Sequence, residues 1–304
     1  MSHPLPKPSE PYKTWATFLK AVWMHGMSVQ NMDKTIAASH VSDAAKSILE
    51  VFTRRNEAKT VRPSSFLACA RQTYYSVQGE DAGNMPDNIG STFAVGHLLH
   101  ELSYAAVKSG IPSGFAVETE KNVALPEWWP DDKAKFNQRG HVDMFITVPD
   151  RAAHEAYLSP DAPDRMLIDF KTMGSFSYRK HGKTVWGEDP DAFGYLAQLA
   201  VYADTLGLVS DDPNKEGVGA IVAGINRDSL TQPLFPRYID SKTLNDELAR
   251  VKLAVQMAVD GNDPGEEFLT RHGSDAYFHC GRAGKPGYCA FKAVCKSNPT
   301  RDGD

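Results

Sequence analysis

The 304-residue chain, 41% hydrophobic and 23% charged, carries enough apolar material for one large domain or two smaller ones, which sets aside the disordered and fibrous classes. Its formal net charge of -5 excludes a histone-like basic coat, yet suits a carboxylate site that binds phosphate through cations. No segment approaches the roughly 18 to 20 apolar residues of a membrane span, and Met1-Ser2-His3-Pro4-Leu5-Pro6 lacks a signal-peptide pattern, so the expected location is the cytoplasm, away from membrane.

Residues 1–12 are Pro-rich and expected to be loose. From Tyr12 to Arg55 the periodicity is helical: Trp15, Phe18, Leu19, Val22 and Trp23 recur at intervals of three and four and read as a core face. A second helical run covers Val41 to Phe52, with Ser42 as its cap. Arg54, Arg55, Lys59 and Arg62 follow as a basic linker. Ser64 to Tyr75 reads as a capped helix bearing Cys69, and a polar loop from Gln78 to Gly90 leads to a helix over Ser91 to Lys108. Inside that helix His97 and His100 are three apart and share a face, in a pattern that matches neither zinc-protease motif.

Phe115 to Leu125 has β character, Trp128 and Trp129 sit in a Pro-flanked loop, and Arg139 to Val148 reads as a second strand. Alternation there places Val142, Met144 and Ile146 on one face, with Asp143 and Phe145 on the other; an acid among apolar neighbours calls for a cation or a donor. Pro149 to Arg165 reads as a polar loop. The third strand, Met166-Leu167-Ile168-Asp169-Phe170-Lys171-Thr172, is interrupted by an acid and, two residues later, a lysine, which alternation brings to the same side. That pairing suits phosphodiester hydrolysis, the acid holding a divalent cation and the ammonium steadying the attacking water or the phosphorane charge. The two acid-bearing strands are expected to be antiparallel neighbours.

Ser177 to Lys183 reads as a basic, aromatic loop beside that strand, suited to a nucleic-acid backbone. Asp191 to Leu206 is a periodic helix in which Gln198 and Tyr202 point the same way. Strands over Val218 to Asn226 and Leu234 to Ile239 precede a helix from Lys242 to Val259. The rest, Asn262 to Asp304, is irregular and poor in apolar residues, and would gain order from a metal staple. In a reducing compartment, Cys69 and the trio Cys280, Cys289 and Cys295 suggest one metal or cluster site. The expected organisation is an N-terminal helical extension over 1–62, a core over 63–261 and a cysteine-bearing segment over 262–304.

Taken in order, Gly96-x3-His100, Gly140-x2-Asp143, Asp169-x-Lys171 and Gln198-x3-Tyr202, framed by the split cysteines, resemble the RecB-like branch of the PD-(D/E)XK nucleases. Within it, the chain is similar to the iron–sulfur nucleases of the AddB and CRISPR-associated exonuclease type, over residues 64–296. The resemblance implies an α/β fold with a mixed central sheet flanked by helices and a tail stapled by a 4Fe-4S cluster. It also implies a metal site formed by His100, Asp143, Asp169 and Phe170, with Lys171 as the catalytic lysine. Gln198 and Tyr202 match the helix motif that supports the site and contacts substrate; His97 has no counterpart. Cys69, Cys280, Cys289 and Cys295 match the cluster ligands.

Two carboxylates and an imidazole suit Mg2+ or Mn2+, which coordinate a phosphate oxygen and activate water. The implied activity is a metal-dependent DNA exonuclease acting on single strands or DNA ends in repair, recombination, phage DNA metabolism or CRISPR adaptation. Cys280 and Cys289 depart from the family spacing, with eight residues between them, while the five before Cys295 are kept. Four thiolates also suit zinc. A cluster-bearing DNA-end clamp and a structural zinc protein are therefore the competing readings. No P-loop is present. A ring-shaped homo-oligomer would give processivity, though no stretch declares an interface.

Overall fold

The computed structural model describes residues 4–28, 30–53, 60–63, 69–80, 89–184, 194–209, 219–229, 239–264, 281–282, 285–286, 291 and 294–295. Helix α1 (Trp15–Gly26) starts at Thr14, whose side chain accepts from the Thr17 N–H, and it buries Trp15, Phe18, Leu19, Val22 and Trp23, the face its periodicity marks out. Each such side chain, fully withdrawn from water, contributes about 1.5–3 kcal/mol. Helix α2 (Lys34–Thr53) begins well before the expected start at Val41. The cap is Asp33, whose carboxylate accepts from the Thr35 and Ile36 N–H groups, and Ser42 is an interior helix residue. The missed turn holds few large apolar residues, so periodicity had nothing to register there.

Helix α3 (Ala70–Gln78) starts after Cys69, whose backbone is extended, and ends at Gly79 in the left-handed conformation, while Ser64, the expected cap, lies outside the described residues. Helix α4 (Ile89–Gly110) crosses α1 at a backbone contact that excludes side chains. A Cβ on Gly26 would lie 1.8 Å from the Ala106 carbonyl oxygen, and one on Gly110 would lie 2.2 Å from that of Val22.

Strands β1 (Ala116–Ala124), β2 (Arg139–Thr147), β3 (Arg165–Met173) and β4 (Ala220–Asn226) form a mixed sheet in that order. The first three are antiparallel neighbours, and β3 and β4 are parallel, as expected of strands joined through helices. Two short helices lie where loops were expected. One is α5 (Arg151–Tyr157), capped by Asp150 and closed by the buried His154. The other is α6 (Ser175–His181), formed by the basic segment after β3. Helix α7 (Tyr195–Thr205) belongs to the crossover from β3 to β4, and α8 (Ser241–Val259), capped by Asp240, follows.

The sheet has two dry faces. Met144, Ile146, Met166, Ile168, Phe170, Ile221 and Ala223 pack with residues of α1 and α4. Val142, Phe145, Leu167 and Val222 pack with residues of α7 and α8. This corrects the expected alternation: Val142 shares a face with Phe145 rather than with Met144. In β1, likewise, Val117 joins the first cluster and Val123 the second. Both strands change phase between these positions, where Glu120 takes a φ of 49°.

The expected strand over 234–238 lies outside the described residues; Ile239 donates to the Ala220 carbonyl. In the tail, strands β5 (Gly281–Arg282) and β6 (Lys285–Pro286) pair antiparallel. Among the described residues, no helix is long and apolar enough to cross a membrane.

Candidate active site

The β2–β3 ladder runs from the Thr147–Arg165 pair to the Met144–Ile168 pair, and Asp143 and Asp169 are the next residues beyond it. There the Asp143 carboxylate takes the place of a main-chain acceptor: its Oδ2 receives the Phe170 N–H at 2.7 Å. A fork in the sheet therefore brings both predicted acids to one point, and β4 continues alongside β3, with Val222 in register with Asp169 and Gly224 with Lys171.

His100 reaches the fork from α4, with Nδ1 3.7 Å from Asp143 Oδ2, and its ring packs 6.1 Å from that of Phe170. His97, one turn earlier, is exposed. Phe170 itself is fully buried in the core, and a phenyl ring has no ligand atom, so any metal contact from this residue must use its main-chain carbonyl.

On the other side, Asp169 is 2% exposed and its Oδ1 receives Lys171 Nζ and Gln198 Nε2, each at 3.0 Å. Gln198 Oε1 accepts from the same ammonium at 3.0 Å, so one amide orients both the acid and the lysine. Lys171 Nζ also lies 5.2 Å from the centre of the Tyr195 ring. Asp169 Oδ2 lies 2.9 Å from Lys171 Nζ as an ion pair, yet it is a buried oxygen that receives no hydrogen bond. Tyr202, one turn beyond Gln198, stands at the entry to β2: a Cβ on Gly140 would lie 2.4 Å from its ring. Gln198 is thus in direct contact with the acid and lysine, while Tyr202 packs against the strand that carries Asp143.

The electrostatics follow from two acids sharing one ammonium in a dry setting. Burial lifts Asp143 to about 7 against the pull of Lys171, with Glu120 adding to the rise. Burial likewise lifts Asp169 to about 6, with Lys171 opposing and Asp143 reinforcing. Burial and then Lys171 depress His100 to about 4, leaving a neutral imidazole, the state in which it can ligate a metal. Burial, then Asp169 and Asp143, raise Tyr202, so its hydroxyl keeps its proton.

Glu120 and Tyr104 were absent from the expected site. The Tyr104 hydroxyl donates to Glu120 Oε1 at 2.8 Å, and its ring packs 6.2 Å from His100 and 5.8 Å from Phe170. Tyr104 lies one turn after His100 on α4, a spacing that signals a shared face. Glu120 belongs to an ordinary polar alternation and carried no signal.

Among the described residues, no three His, Cys, Asp or Glu groups are gathered closely enough to hold a metal ion as they stand. The donor chemistry nevertheless fits a hard dication: two carboxylates lifted by burial and a neutral imidazole.

Of the four cysteines, Cys280 and Cys289 lie outside the described residues. Cys69 and Cys295 are both buried, and burial raises the Cys69 thiol, with Cys295 near enough to add to the rise. Tyr75 of α3 and Phe291 stand 5.9 Å apart in the same small cluster, and Arg71 donates to Asp263 at 2.8 Å. Tail residues distant in sequence are thus brought against the start of α3.

No family model matches the chain and no curated protein matches it. Among solved structures, it is similar to one described as the crystal structure of SSO0001, with 14% identity and a TM-score of 0.42 over 85% of this chain and 97% of that one.

Proposed function

We propose that the protein is a metal-dependent deoxyribonuclease that hydrolyses phosphodiester bonds at single-stranded or terminal DNA. The observation that carries this reading is the fork, where Asp143, Asp169, Lys171 and His100 converge from three elements in a buried setting. His100, Asp143, Asp169 and the Phe170 carbonyl would hold the cation. When bound, Mg2+ or Mn2+ polarises the phosphate and lowers the pKa of the attacking water. Lys171 then opposes the charge that builds on the phosphorane, an interaction strongest in the transition state. Gln198 keeps the ammonium aimed, and Tyr195 walls it from the side. The Phe170 N–H occupies only Oδ2 of Asp143 and would hold that carboxyl in place beside the cation.

In the same reading, the cysteines hold a 4Fe-4S cluster that fastens the tail. Support comes from Cys69 and Cys295, both buried and near enough to interact electrostatically although far apart in sequence. The cluster would contribute order rather than chemistry at the phosphate.

The decisive experiment digests an end-labelled oligonucleotide with Mg2+ or Mn2+, with EDTA as control, in wild type, Asp169→Ala and Lys171→Ala. Cleavage is expected in wild type and should fall at least ~1000-fold in each variant. Wild-type rates in either variant, or a wild type inert with both metals, would remove the reading and leave a DNA-end clamp. Iron and acid-labile sulfide, measured on the same preparation, should exceed zinc; zinc alone would replace the cluster by a structural zinc site.

A further inference from the structure

Helix α6 follows β3 after a single residue, Gly174, and places an aromatic and three cations on one side. Phe176 is 68% exposed, the most exposed large hydrophobic side chain among the described residues. Arg179, Lys180 and Lys183 are exposed as well. Spacings of three, four and seven from Phe176 put all four on one face of the helix and of the tight turn in which Lys183 donates its N–H to the Lys180 carbonyl. Cations at a helix C-terminus complement the macrodipole, which accounts for charge there but not for an exposed phenyl ring.

The helix is fixed to the strand beside the site. At its start, Asp228 Oδ2 receives the Ser175 N–H at 2.6 Å and the Ser175 hydroxyl at 2.7 Å. At its end, the buried His181 donates Nε2–H to the Val222 carbonyl at 3.0 Å. The imidazole packs against Gly224, where a Cβ would come within 2.7 Å of His181 Cδ2. Val222 and Gly224 are the register partners of Asp169 and Lys171, so the helix is fastened to the strand next to the one that bears the candidate site.

We infer that the outer face of α6 grips single-stranded DNA next to the site, Phe176 stacking on an unpaired base while Arg179, Lys180 and Lys183 follow the phosphates. A single strand offers base faces that a duplex hides in its stack, and an exposed ring on a charged surface matches that difference. The inference rests on the nuclease reading for its choice of substrate but not for its test.

Binding of a fluorescent oligo-dT to the full-length protein is followed by anisotropy in EDTA, over a range of salt, so that no cleavage enters. The triple variant Arg179→Gln/Lys180→Gln/Lys183→Gln should flatten the slope of log affinity against log salt by about 2, three contacts at ~0.7 each. Phe176→Ala should weaken binding ~5- to 150-fold with little change in slope, and Phe176→Trp should restore it. A control triple on the helical layer, Lys13→Gln/Lys20→Gln/Lys46→Gln, should keep the wild-type slope. Circular dichroism and melting of each variant check that it is folded. The inference fails if the α6 triple binds like wild type, if the control loses as much, or if blunt duplex binds as tightly as oligo-dT and is equally weakened by Phe176→Ala. A protein that binds through this face yet never cleaves would overturn the nuclease reading and leave the surface intact.

Discussion

Helix α4 separates two polar clusters that solve burial in opposite ways. Toward α2, His40 and Glu101, both 8% exposed, form a closed pair with Nδ1 2.5 Å from Oε2. One donor meets one acceptor, and the pair fastens two helices. Toward the sheet, Asp143 and Asp169 share one ammonium and stand above the usual carboxylate range. The first arrangement is complete as a structural device. The second sets two buried carboxyls against one ammonium, and carboxyls lifted by burial at one point are the mark of a site that expects a ligand.

The largest expected consequence is that stability and activity separate at the second cluster and not at the first. Asp169→Asn keeps the shape but removes a charge that burial disfavours. Cleavage should fall at least ~1000-fold, while the metal-free protein gains about 0.5–2 kcal/mol in urea unfolding. A variant that loses both activity and stability would place Asp169 with the structural pairs.

His40→Ala should do the reverse. It strands Glu101 in a dry helix interface and should cost about 3 kcal/mol, read as a lower urea midpoint at unchanged slope. Residual cleavage per folded molecule should stay within a few-fold of wild type, since neither residue touches the fork. A large loss of turnover in the folded fraction would show that the two clusters act as one.

Gly140→Ala tests how tightly the sheet fork is tied to α7. The added Cβ would meet the Tyr202 ring at 2.4 Å, and overpacking of this kind costs about 1–3 kcal/mol. Because Tyr202 and Gln198 share α7, metal-dependent cleavage should fall with stability. Glycine at this position is required by the ring opposite it rather than by backbone conformation.

The smallest effect is the pH dependence of metal-free stability. A carboxyl raised from 3.8 to about 6 holds its proton longer in the folded state, so Asp169 withdraws stability as pH rises through that window. Asp143 extends the same trend to about 7, whereas His100, depressed from 6.5 to about 4, adds stability as pH rises across its own window. The gap between Asp169→Asn and wild type isolates the Asp169 share. It should be small near pH ~4, grow through pH ~5 and level off above pH ~6, measured as urea midpoints in EDTA. A gap independent of pH would mean that Asp169 titrates as an ordinary carboxylate.

Much of this architecture is legible in the amino-acid order. The α1 core face, the four strands of the sheet, the antiparallel neighbours bearing Asp143 and Asp169, and the shared direction of Gln198 and Tyr202 all follow from periodicities of 3.6 and 2, which are local properties of the chain. Asp169-x-Lys171 could be read as one constellation for the same reason: two residues of one strand, two apart, share a side whatever surrounds them. Short capped helices escaped, because α5 and α6 have too few apolar residues to show a period and are fixed instead by Asp150 and by the Asp228 and Val222 contacts.

What only the tertiary structure decided is the join between elements. The phase change around Glu120, the end of the β2–β3 ladder at Met144, and the Phe170 N–H given to Asp143 depend on where two strands part, which no single segment encodes. The approach of Cys295 to Cys69 is of the same kind. So are the raised carboxyls, because the dryness that lifts them is supplied by helices distant in sequence, and burial is a property of the assembled core rather than of the residues that feel it.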